Sequence, residues 1–83
     1  DTEYLTKSDL SGMSKSEINL AKNELYARHG RKFKSKELKE YFESKDWYVP
    51  KYSPKQWDKK GDSFFFNKYE IKNRDLLKKY ENK

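Results

Sequence analysis

The sequence has no cysteine, one histidine, one methionine, two prolines and three glycines in 83 residues. Without cysteine there is no disulfide framework, no thiolate metal site and no thiol nucleophile, so stability must come from packing and polar pairing. The absence does not locate the protein, because disulfides report an oxidising compartment only when present. A lone histidine, His29, leaves a zinc site without ligands. No apolar run approaches the ~18 residues needed to span a membrane, and Phe64-Phe65-Phe66 is the longest aromatic stretch, so the domain itself is expected to be soluble. The first residue is Asp1 and the only methionine is Met13, which suggests a piece cut from a longer chain or a processed product. Any signal peptide or anchor would then lie outside it.

Apolar residues are 33% of the chain and charged residues 41%, a balance that points towards disorder when the apolar share is scattered and aliphatic. Here it is aromatic: seven Tyr, five Phe and two Trp. Each ring can bury on the order of 150–250 Å², so a few large side chains can close a small core. One domain over residues 1–83, with a core from about 10 to 80 and modest stability, is the expectation. A net charge of +6 favours anionic partners, although the charge is spread and only residues 64–83 are clearly biased.

Three helix starts carry one double signature, a capping residue with an acidic residue three places on and an apolar pair enclosing both. Thr6 and Asp9 lie between Leu5 and Leu10; Ser14 and Glu17 between Met13 and Ile18; Asn67 and Glu70 between Phe66 and Ile71. The first helix ends within a turn at Ser11-Gly12. The second runs from Lys15 to His29, with Gly30 supplying the left-handed stop. Ser35 starts a third, with Leu38, Tyr41 and Phe42 on one face and an end near Lys45. Trp47-Tyr48-Val49-Pro50 leaves the helix, because the residue before a proline is pushed to extended geometry. Residues 49–63, with Pro50, Pro54 and Gly61, read as a long loop pinned by Tyr52 and Trp57, and Phe64-Phe65-Phe66 as a short extended piece. The last helix spans Lys68 to Tyr80. The expected fold is therefore mainly α, a small single-core bundle of about four helices, one very short, with a long aromatic-pinned loop.

At 100° per residue, Ala27, Leu20, Glu24, Arg28, Ala21, Leu25 and Ile18 share half the circumference of the second helix, with Lys15, Lys22, Asn19 and Asn23 on the wetter side. Glu24 and Arg28 stand in the middle of the apolar half, at the i, i+4 spacing that suits an ion pair. On the last helix Tyr69, Asn73, Leu76 and Tyr80 form the inner stripe, with Glu70 on its flank. A buried amide needs partners, so Glu24, Arg28, Glu70 and Asn73 are expected to form one polar network between the two helices. The competing reading makes Arg28 an anion-binding fork at the mouth of a pocket, and the exposure of Arg28 separates the two.

His29 at the helix end has no positioned nucleophile or oxyanion site in the pattern around it, so catalysis is not expected and no cofactor is implied. Arg28, Arg31, Lys32, Lys34 and Lys36 gather around the turn after Gly30 with Phe33 among them. Basic and aromatic residues together can bind single-stranded nucleic acid; the plainer alternative buries Phe33 under a charged turn. Trp47, Tyr48, Tyr52 and Trp57 offer an aromatic platform for sugars or peptides, with core filling as the plainer use and Trp57 the best candidate for exposure. Arg31, Lys32, Lys34 and Trp57 are thus the candidate ligand-binding residues.

The run Lys22-Asn23-Glu24-Leu25-Tyr26-Ala27-Arg28-His29-Gly30, followed by Phe33, Tyr41-Phe42, Trp47-Tyr48 with Pro50, and Glu70 with Asn73, resembles the YARHG domain, a bacterial family named after the run at Tyr26 to Gly30. The resemblance covers about Leu10 to Tyr80. Lys22 stands where the family usually has Arg, and Arg74 where an apolar residue usually follows the Asn, which bears on how deeply the start of the last helix is buried. The resemblance implies an extracellular or cell-envelope module attached to other domains, with no agreed ligand or activity. The expected function is a non-catalytic interaction module, a monomer that binds an anionic wall polymer, a glycan or another protein; a basic nucleic-acid-binding module is the alternative.

Overall fold

Four reciprocal caps set the element boundaries in the computed structural model, which describes residues 3–82. The order is α1 (Lys7–Leu10), α2 (Lys15–Arg28), α3 (Lys36–Glu43), α4 (Pro54–Lys60), α5 (Asp62–Phe65) and α6 (Lys68–Glu81). Among the described residues there is no strand, and a single parallel bridge joins Arg31 to Tyr52. The fold is mainly α, as the periodicity predicts.

The three expected capping boxes are in place. Asp9 N–H donates to Thr6 Oγ1 at 3.3 Å while Thr6 N–H donates back to Asp9 Oδ2 at 2.9 Å, and Ser14 with Glu17 and Asn67 with Glu70 repeat the exchange. Each box satisfies two helix-end groups that would otherwise lack partners. At the end of α2, Gly30 takes φ +87°, its N–H donates to the Ala27 carbonyl, and the Arg31 N–H donates to the Tyr26 carbonyl. That pair of bonds is a Schellman closure, which needs the positive φ that glycine adopts without strain.

The loop expected over residues 49–63 is corrected: its second half is helical. Ser53 caps α4, Pro54 occupies the first turn where its missing N–H is no loss, and Gln56 returns the cap's hydrogen bond at 2.8 Å. Tyr52 and Trp57 lie on either side of this cap at the spacing of a hydrophobic staple, with ring centroids 6.5 Å apart. The signature is the same as at the other three starts, with Gln in place of the acid. Gly61 at φ +85° ends α4 and leads into α5, so Phe64 and Phe65 are helical rather than extended, and only Phe66 has extended geometry.

α2 packs chiefly on α6 and, on another side, on α3, while α4 packs on α5. The core has two lobes. Leu10, Ile18, Leu25, Trp57, Phe66 and Leu77 make one; Ala27, Phe33, Phe42 and Tyr48 make the other; Tyr26 packs against both. Because α2 is covered on more than one side, its expected wet face is partly wrong: Asn23 is buried, with its amide donating to the Asn19 carbonyl. Asn19 and Lys22 hold Glu81, at the end of α6. Those two hydrogen bonds, Asn19 first, keep the Glu81 carboxyl below its usual range.

Candidate functional site

The expected four-residue polar network divides into three separate contacts. Glu24 and Arg28 pair with each other at 3.3 Å, with side chains 47% and 52% exposed and no bond to α6. Asn73 is buried, and its amide bridges the backbone of the N-terminal segment, accepting from Leu5 N–H at 2.7 Å and donating to the Glu3 carbonyl at 2.9 Å. Glu70, also buried, places one carboxylate oxygen on the Asn67 N–H and the other 2.7 Å from His29 Nε2. α6 covers only part of the apolar half of α2, and the residues beyond its reach turn outward. An exposed i, i+4 pair of this kind contributes only about 0.3–0.5 kcal/mol. Its exposure takes Arg28 out of the interior network expected of it.

A polar centre absent from the sequence reading lies at Asp62. Its Oδ1 accepts from Trp57 Nε1 at 2.6 Å, and its Oδ2 accepts from the Tyr26 hydroxyl at 2.8 Å and from Arg74 Nη1 at 2.6 Å. Burial pushes the Asp62 carboxyl up, but the three donors and the guanidinium charge outweigh it and hold the group below its usual range. Burial first, and then the bond to Asp62, pushes Tyr26 up to about 12. Arg74, the departure from the family pattern, is therefore the cation of this centre, also bonded to Asp75 at 2.7 Å. Nothing in the spacing shows the cluster, since its members come from α2, α4, α5 and α6.

The candidate ligand-binding residues have different fates. Trp57 is withdrawn from the list: it is 1% exposed and stacks on Phe65 with centroids 3.9 Å apart. A large flat ring at the staple position of α4 is drawn into the core, and its N–H donates to the partly buried Asp62 carboxylate. Phe33 is also buried, stacked on Phe42, which is the plainer of its two readings. Above it Lys32 and Lys34 are exposed, and Arg31 is half-buried over the Tyr26 ring with its Nε lacking a hydrogen-bond partner. The turn that carries them is rigid. The Gly30 carbonyl accepts from both Lys51 and Tyr52 N–H, Lys32 N–H donates to the Tyr52 carbonyl at 2.7 Å, and the Tyr48 hydroxyl donates to the Arg31 carbonyl at 2.7 Å.

Among the clefts along α2, two differ in charge. One, of about 620 Å³ between the N-terminal segment, α2 and α6, has Glu3, Asp9 and Glu24 in its walls. The other, of about 350 Å³ beyond the end of α2, has Arg28, His29 and Lys51 in its walls and no carboxylate. The Arg28 guanidinium lies 4.0 Å over the Trp47 ring there. Among the described residues no group of three or more His, Cys, Asp or Glu is placed to hold a metal ion, and no helix is long and apolar enough to cross a membrane.

Fold and side-chain placement together define a small all-helical domain organised on the Tyr26–Gly30 run, with a basic turn at one end. The chain matches the YARHG domain family over residues 1–82 and belongs to it. No curated protein and no solved structure is significantly similar to the chain.

Proposed function

We propose that this domain is a non-catalytic interaction module of the extracellular space or cell envelope, which binds an anionic partner, wall polymer, acidic glycan or acidic protein, through its basic turn. The observation that carries this reading is the turn itself: Lys32, Lys34 and Lys51 are exposed and Arg31 half-buried where Gly30 and Tyr52 tie the backbone together, and none of the four forms an ion pair with a described residue. The braced backbone gathers these charges in one place while the lysine side chains keep their rotamer freedom, so the surface attracts an anion chiefly through its summed field. Nucleic acid is the weaker reading, because the aromatic ring among these cations, Phe33, lies beneath them where no base can stack. A catalytic role gains no support from His29, because among the described residues Glu70 is the one side chain hydrogen-bonded to its ring and no nucleophile is paired with it.

Titration of labelled protein with poly-glutamate tests the reading. The expected result is movement of the amide signals of residues 31–34 and 51, and about tenfold weaker binding by the Lys32→Glu, Lys34→Glu double variant at ~0.1 M salt, a difference that shrinks at ~0.5 M. Movement centred elsewhere, or a variant that binds as well as the parent, overturns it.

A further inference from the structure

The cleft beyond α2 has a different character from the exposed turn next to it. We infer that it is a discrete subsite for one carboxylate joined to a short apolar group, such as the C-terminal residue of a peptide, with Arg28 as the fork that holds the carboxylate. The inference rests on the anionic-partner reading above and names the chemical group taken at its most specific point.

Three observations support it. The first is the state of Arg28. Its bonds to Glu24, at 3.3 and 3.4 Å, are long beside the 2.6–2.7 Å of the other ion pairs among the described residues. Glu24 is a wall of the acidic cleft across α2 and not of this one. The guanidinium carbon lies 4.0 Å from the centre of the Trp47 ring, so the cation is placed over an aromatic face while its donors are only loosely engaged. A fixed, under-engaged fork matches the two oxygens of a carboxylate.

The second observation is the opposite wall. Lys51 is exposed, without an ion pair among the described residues, and its backbone is fixed by the bond to the Gly30 carbonyl at 2.8 Å. A helix C-terminus ordinarily repels an anion. Here the Tyr26 and Ala27 carbonyls accept from the turn and the Gly30 carbonyl accepts from Lys51 and Tyr52 N–H, which weakens that repulsion, and Arg28 and Lys51 add two positive charges to the wall.

The third is Val49, an aliphatic side chain 58% exposed at the same cleft, with Phe65 also in the wall. An apolar patch beside two cations fits an acid that carries an alkyl group, whereas a polyol phosphodiester would leave it uncovered. A volume of about 350 Å³ suits a group the size of one residue rather than a folded surface.

The experiment uses N-acetyl-leucine, N-acetyl-leucine amide and glycerol phosphate, read by the Trp47 indole N–H and the Gly30 and Lys51 amide signals. N-acetyl-leucine is expected to move these signals saturably, and the uncharged amide is not. Arg28→Lys, which keeps the charge and loses the fork, should weaken binding by about tenfold, with Lys51→Ala as a second variant far from the core. An unchanged circular dichroism spectrum establishes that both variants are folded. If poly-glutamate moves residues 31–34 but N-acetyl-leucine leaves Trp47 and Lys51 still, the subsite is overturned and the basic turn stands. If neither probe is bound, both readings fall. Equal binding of the amide, a preference for glycerol phosphate, or an Arg28→Lys variant that binds as well as the parent also overturns the assignment.

Discussion

Asp62 is the residue whose removal should be felt furthest, because Tyr26, Trp57 and Arg74 all donate to it. Asp62→Asn keeps the shape but turns an acceptor into a donor facing donors, and strips Arg74 of a close anion. A loss of about 2–3 kcal/mol is expected, read as a lower urea midpoint at unchanged slope. The same centre fixes two pH limits. The folded Asp62 carboxyl lies below its ordinary 3.8, so its contribution is present above that value and lost as pH falls through the lower, folded one. Tyr26 is raised from 10.0 to about 12, so its contribution is full below pH 10 and lost between there and 12. Ultraviolet titration of the folded protein should show a phenolate step near 12 that disappears in Tyr26→Phe. None of this is readable from spacing: Asp62 stands among loop-like residues, and its donors meet it only after α4, α5 and α6 have packed. Glu70 was legible by halves, since its capping role follows from Asn67 three residues earlier while its bond to His29 depends on the packing of α6 on α2.

At the scale of elements, local chemistry carried most of the information. The starts of α1, α2 and α6 and the stop at Gly30 are where side-chain capping and glycine geometry place them, and these are interactions within a few residues of sequence. α4 obeys the same physics but was obscured by two prolines, several lysines and a glutamine doing the work of an acid. Ser53→Ala should therefore cost about 1 kcal/mol in thermal or chemical unfolding, as for any helix that loses its N-cap. Gly30→Ala should cost more, about 2 kcal/mol, because φ is +87° and the added Cβ would stand 2.9 Å from the Val49 carbonyl oxygen. α3 is held differently. It has one buried residue, Phe42, and its Ser35 cap accepts a single 3.4 Å bond without a return. Native-state hydrogen exchange should find the α3 amides opening well before those of α2, which is enclosed by neighbours. Equal protection in the two helices would show that the lobes open as one.

For the whole molecule, the aromatic share of the composition pointed to a folded domain, but the division of its core did not follow from it. Which of the fourteen rings go inside is decided by long-range packing, and this is why Trp57, the ring of its group that the sequence leaves most open to exposure, is at the centre while Phe64 is exposed. The placement of charge is also a property of the assembled fold. Packing puts carboxylates in the wall of one cleft beside α2 and cations in the wall of another, although the charges are nearly evenly spread along the sequence. Neither wall follows from net charge alone.

The backbone contact between Gly30 and the Lys51–Tyr52 peptide has one further consequence. The chain leaves the first lobe at Gly30, builds the turn, α3 and the aromatic segment after it, and returns to the point of departure. Residues 31–51 thus form a loop closed at its neck. With the neck already closed, the rings of this stretch, Phe33, Phe42 and Tyr48, meet Ala27 of α2 across a short loop, and little further chain entropy is lost in building the second lobe.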